Sequence, residues 1–224
     1  MSKHVVVIYA HPDDESFGAA GTITKFRKQG IPVTFLCGTS GEMGRNMGSP
    51  PFANRETLPK IREQELAAAC QFLDIDYKLL GYRDKTIEYE DTMEVAEHVH
   101  GILQQLKPSL VITHYPGHAV HPDHDALGAA AIEAIRLLPP EERPVVWAQA
   151  ITNTHIEDLG QPDIVHDITN HFNHKMQAIM AHKSQAGGMI KNFSDPSQVD
   201  PDLKEAALKR LGKEQFYIWD FKTE

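Results

Sequence analysis

The sequence predicts an α/β fold in a single domain, with a mainly parallel sheet covered on both faces by helices. Three observations carry this expectation. Short β-branched runs alternate with helix-patterned segments, the 224 residues suit one large domain better than two small ones, and no repeat, low-complexity tract or linker divides them.

Val5 to Tyr9 is a β-branched run bounded by polar residues, which predicts a buried first strand. Phe17, Ala20, Ile23 and Phe26 then recur every three residues, so a helix is expected there, stopping near Gly30 with Pro32 just beyond. Val33 to Cys37 predicts the second strand. Helices around Ile61 to Leu73 and Met93 to Leu106 alternate with strands at Tyr77 to Leu80 and Leu110 to Thr113. Ala96, Val99, Leu103 and Leu106 form the apolar stripe of the later helix. Leu127, Ala130, Ala134 and Leu138 mark another helix, which Pro139 and Pro140 would end, and Val145 to Ala150 is a fifth strand candidate. The last third is less regular: a helical pattern over Thr169 to Lys183, loop over Gly187 to Pro201, a short helix over Leu203 to Leu211 and a strand candidate over Phe216 to Phe221. Such alternation calls for right-handed crossovers, and ligands of such sheets sit beyond the strands' carboxyl ends.

A hydrophobic content of 41% and a charged content of 24% are ordinary for a globular chain. The apolar run Val5 to Ala10 has six residues, against the ~20 of a membrane span. It leads into His11-Pro12-Asp13-Asp14-Glu15 with no cleavage pattern of a secretory signal, so a cytoplasmic protein without a membrane partner is expected. Cys37 and Cys70 lie in apolar segments and make neither a disulfide framework nor a metal knuckle, which suggests reduced core thiols. A net charge of −9 opposes nucleic acid and anionic lipid as partners. An anionic ligand would have to meet a local cluster of basic residues.

Two segments carry the chemistry. His11-Pro12-Asp13-Asp14-Glu15 lies where the first strand gives way to the first helix. A proline and acidic residues there also make a good helix start, so the segment alone has an ordinary reading. His121-Pro122-Asp123-His124-Asp125 has a similar composition and again stands between a strand and a helix. A His and an Asp from the first segment with a His from the second would supply three ligands of the catalytic-zinc kind, leaving one position for water. An unliganded carboxylate nearby could take that water's proton, and the adjacent Asp13 and Asp14 could divide the two tasks.

These residues resemble the LmbE-like, or PIG-L, family of zinc-dependent N-acetylglucosamine deacetylases. Ala10 to Glu15 matches the family's first motif and His121 to His124 its second, Lys175 through His182-Lys183-Ser184-Gln185 resembles a weaker C-terminal signature, and Arg62 and Glu65 fit its helix pattern. The resemblance implies a Rossmann-like fold for residues 1–224 and one zinc per chain on His11, Asp14 and His124, with Fe(II) or Co also suited to such ligands. It further implies Asp13 as general base, His121 as oxyanion stabiliser or acid, Asp123 as the group orienting a histidine, and a homo-oligomer, trimer or hexamer. A protonated His121 would oppose the charge of the tetrahedral intermediate, and the proton for the departing amine would come from Asp13 or His121.

The Gly-rich stretch from Gly38 to Glu56 is long enough for a binding loop, and Arg45, Arg55 and Arg62 in or near it could grip a carboxylate. Gly41 to Gly48 and Tyr115 to His121 look most like the bacillithiol-biosynthesis branch of the family, its second deacetylase type. That likeness implies a small amino-sugar conjugate, N-acetylglucosaminyl malate, as substrate. Asp84 matches a family position associated with sugar binding, and His182 lies in the C-terminal signature, which makes both substrate-contact candidates. Ala119 departs from mycothiol-type relatives, which carry a tyrosine two residues before the second-motif His. A bacillithiol S-conjugate amidase and a noncatalytic metal- or sugar-binding module are the competing readings, the second disfavoured by the extra carboxylate at Asp13.

Overall fold

A computed structural model describes residues 3–193 and 199–221. Strands β1 (Val5–Tyr9), β2 (Val33–Thr39), β3 (Asp76–Tyr82), β4 (Leu110–His114), β5 (Val145–Gln149), β6 (Ile164–Asp167) and β7 (Lys213–Ile218) form one sheet in the order β3-β2-β1-β4-β5-β7-β6. The first five are parallel to one another, as the alternating pattern predicts, and β7 runs antiparallel to both β5 and β6. The helices are α1 (Asp14–Gly18), α2 (Ala20–Lys28), α3 (Leu58–Leu73), α4 (Thr92–Leu106), α5 (Pro122–Arg136), α6 (His155–Leu159), α7 (Phe172–Ala181), α8 (Gly187–Phe193) and α9 (Pro201–Leu211). None of them is long and apolar enough to cross a membrane.

Both faces of β1 are covered, which is why it reads as an unbroken apolar run rather than an alternation. Val6 and Ile8 join a core with Val99 and Leu103 of α4 and Leu127 and Ile135 of α5. Val5, Val7 and Tyr9 join the opposite core with Ile23 of α2 and Leu66 and Cys70 of α3. Cys37 and Cys70 are free and buried, and burial raises both thiol pKa values.

The first helix is in two pieces, not one. The Gly18 carbonyl accepts from Gln149 Nε2 at 2.9 Å, and a Cβ at Gly18 would fall 2.5 Å from Gln149 Oε1. The chain restarts as α2, and its first-turn donors, Gly21 N–H and Thr22 N–H, are taken by Glu214 at 2.9 and 2.6 Å. Glu214 belongs to β7 and is held by Lys175 Nζ of α7 at 2.8 Å, both side chains 1% exposed. No local pattern announces a helix break made by residues so distant. Within the expected loop, Gly187–Phe193 is helical, and residues 194–198 lie outside the described part. Strand β6 and helix α6 were not expected. They are four and five residues long, and β6 is a half-exposed edge carrying His166 and Asp167.

Candidate active site

From β1 the chain crosses to β2, and from β4 it crosses the other way to β5. That reversal opens a crevice beyond the carboxyl ends of the two central strands. The turn from β1 into α1 brings His11, Asp13 and Asp14 there, and the turn from β4 into α5 brings His121 and His124. Arg45 and Lys85 come from the segments after β2 and β3, and the cleft they share has a volume of about 310 Å³.

His11 Nδ1, His124 Nε2 and Asp14 Oδ2 form a triangle with edges of 3.0, 3.1 and 3.6 Å. A tetrahedral cation with bonds of ~2.0–2.2 Å to N and O ligands has ligand–ligand edges of about 3.3–3.6 Å. The other ring nitrogens are already committed. His11 Nε2 faces Asp84 Oδ1 at 3.1 Å and Asp123 Oδ2 at 3.2 Å, and His124 Nδ1 faces the Ala119 carbonyl at 3.1 Å. Each outer nitrogen therefore donates, so that in a neutral ring the inner one presents its lone pair. Two such nitrogens 3.0 Å apart need a proton or a cation between them, and with the Asp14 carboxylate beside them they make a donor set that fits a divalent metal. Burial alone would raise the Asp14 carboxyl, but the charges and hydrogen bonds of His124 and His11 outweigh it and hold Asp14 well below the usual carboxylate range. Burial lowers His11 and His124, and their carboxylate neighbours more than reverse this.

Behind these ligands stands a rigid support. Asp123 is fully buried; its oxygens accept from Lys85 N–H at 2.6 Å and Ile87 N–H at 3.1 Å as well as from His11. The histidine within its reach is His11. The His114 ring, which no sequence signal singled out, stacks on His124 at 4.1 Å with an 11° interplanar angle. Burial keeps His114 well below its ordinary pKa, so it stays neutral beside the ligands.

Asp13 sits at the lip in a left-handed conformation (φ 97°, ψ −26°), rare for a residue with a Cβ. Arg62 of α3 donates from Nη2 to Asp13 Oδ2 at 3.0 Å and to the Pro12 carbonyl, and from Nη1 to the Gly41 carbonyl at 2.9 Å. Burial pushes the Asp13 carboxyl up to about 6, with Arg62 pulling down and the Asp14 charge adding to the rise. Its backbone N–H donates to Glu15 Oε2 at 3.0 Å, and Glu15 Oε1 meets His182 Nε2 at 2.7 Å.

His121 caps α5, its Nδ1 accepting Asp123 N–H at 3.1 Å. In the neutral ring the proton therefore sits on Nε2, and burial together with His11 and His124 lowers the His121 pKa. The three arginines part company. Arg62 is buried and engaged with Asp13, and Arg55 donates from Nη1 to the Gly44 carbonyl at 2.7 Å, bracing the loop instead of facing the cleft. Only Arg45 stays on the rim without an ion pair or hydrogen bond among the described residues, and Lys85, not anticipated from sequence, is a second such side chain. Asp84 lines the cleft with its oxygens held by His11 and by Met43 N–H at 2.8 Å. His182 is fully buried against Glu15 and is not among the residues that line the cleft.

The family model described as GlcNAc-PI de-N-acetylase, PIG-L, matches residues 6–135. The probable N-acetyl-alpha-D-glucosaminyl L-malate deacetylase 2 of Bacillus subtilis (strain 168) is 52% identical over 196 residues, 87% of this chain and 89% of its own. The Bacillus cereus protein of the same description is 48% identical over 225 residues, 100% of both chains. The solved structure of N,N'-diacetylchitobiose deacetylase from Pyrococcus horikoshii, complexed with its inhibitor MPG, aligns with a TM-score of 0.75 at 26% identity, over 97% of this chain and 84% of that one.

Proposed function

Because this chain belongs to the PIG-L family of GlcNAc-PI de-N-acetylases, we propose that it is a zinc-dependent hydrolase that releases acetate from N-acetylglucosaminyl malate. The observation that carries the reading is the triangle of His11, His124 and Asp14, with the separate carboxylate of Asp13 beside it at the lip of an open cleft. A resident divalent cation on these three residues would supply a Lewis acid and an acidic water.

The chain's own groups do the rest. Asp13 takes the proton from the attacking water, its carboxyl raised by burial to about 6, close to neutrality where a base works best. Arg62 keeps that carboxylate aimed, while its hold on Pro12 and Gly41 fixes the guanidinium. His121 donates from Nε2 to the acetamide oxygen as negative charge gathers there, a role its cap bond to Asp123 N–H prepares. Asp13 then returns the proton to the leaving sugar amine. At the rim, Arg45 and Lys85 offer two cations to an anionic aglycone, which suits a dicarboxylate such as malate in an otherwise acidic protein.

Metal-reconstituted protein assayed on N-acetylglucosaminyl malate and on plain N-acetylglucosamine tests both parts. Acetate release with kcat/KM favouring the malate conjugate is expected. Equal rates would remove the malate assignment, and acetate from neither would remove the deacetylase reading.

A further inference from the structure

Asp13 is the N-cap residue of α1, yet its side chain accepts no hydrogen bond from the helix. An N-cap aspartate ordinarily has an extended backbone and turns its carboxylate onto the helix's own free N–H groups. Here φ is 97°, and the carboxylate points instead to Arg62 and the cleft. A non-glycine residue held in that region costs on the order of 1–3 kcal/mol and persists only where its surroundings impose it. On this side the contact is with Glu15. Its Oε2 accepts the Asp13 N–H at 3.0 Å, reaching back from the second helical position and not from the third, where a capping box has its acidic residue. Its Oε1 is fixed by Ser16 Oγ at 2.6 Å and by His182 Nε2 at 2.7 Å. Glu15 and His182 are both fully buried, 167 residues apart in sequence, and neither lines the cleft.

We infer that Glu15 and His182 are a positioning pair that locks Asp13 left-handed, freeing its carboxylate from helix capping so that it faces the reacting water. The inference rests on reading Asp13 as the base. It assigns a reason to a buried ionisable pair that makes no contact with substrate or ligands through its side chains. It also tells which atoms matter: the acceptor oxygen toward Asp13 N–H, not the charge of Glu15. A glutamine keeps such an acceptor; a methionine of similar size does not.

The test is a double-mutant cycle on metal-reconstituted enzyme, combining Glu15→Met with Asp13→Asn, and Glu15→Gln as the rescue. Glu15→Met should lower kcat ~10–100-fold, the usual effect of losing an outer support, with metal content and KM near wild type. It should cost almost nothing further in the Asp13→Asn background, and Glu15→Gln should recover most of the loss. A crystal structure of Glu15→Met should show Asp13 out of the left-handed region with its carboxylate turned onto α1. That arm needs no turnover, so it decides the inference even if the substrate is misassigned. Equal losses in both backgrounds, loss of metal, or an unmoved Asp13 backbone would overturn it. Should Glu15→Met not fold, His182→Leu runs through the same cycle with the same expected pattern.

Discussion

The two ligand-bearing turns look alike in sequence and are built on opposite principles. At the second, His121 has an ordinary extended backbone (φ −114°, ψ 134°), Pro122 opens the helix, and the cap side chain accepts Asp123 N–H. At the first, the cap residue is left-handed and its side chain does no capping. The second turn therefore presents His124 and His121 to the cleft as by-products of a sound helix start. The first gives up a local hydrogen bond so that one carboxylate remains available. Strain does occur near the second turn, at Val120 (φ 66°), where His121 N–H closes on the Ala119 carbonyl at 2.7 Å. There it holds a carbonyl that receives His124 Nδ1, not a reacting group.

The largest expected effect unites the turns. His124→Ala takes away the second turn's only corner of the triangle, and metal content after dialysis should fall to background together with acetate release; a fully loaded variant would mean the cation sits elsewhere. Next comes Asp13→Asn, which should keep metal and lose ~10²–10⁴-fold in kcat, the range of a general base. Full turnover in a loaded protein would remove the contrast between the turns. Asp123→Asn crosses from one turn to the other by loosening His11, and should cost ~10–100-fold in metal affinity, read by chelator competition. The smallest is Val120→Gly. Relief of ~1–3 kcal/mol of backbone strain against a glycine entropy cost of ~0.5–1 kcal/mol predicts a net gain of about 1 kcal/mol in denaturant unfolding, with kcat little changed. A lower midpoint would show that position 120 stores no strain.

What could be read from the sequence follows the range of the interactions. The parallel strands from Val5 to Gln149 were visible because burial on both faces writes continuous apolar runs. The two His-Pro-Asp segments are visible because each is contiguous and stands at a strand-to-helix turn. The motif shows Glu15 but not its task, since its partner His182 lies at the end of α7. Arg55 and Arg62 were read by charge, which says nothing of the carbonyls and carboxylate that claim them. Lys85 was hidden for the converse reason: its backbone N–H, fixed to Asp123, is what brings it to the rim.

The Glu214 cap on α2 has a consequence for how the molecule comes into being. All three corners of the triangle leave the ribosome within the first 124 residues, while the carboxylate that seals the helix behind them follows 192 positions after Thr22. Such distant closures are slow and come late. A nascent chain halted after Arg136 would hold all three corners and still lack the carboxylate that caps α2, so that helix is expected to be sealed only near the end of synthesis.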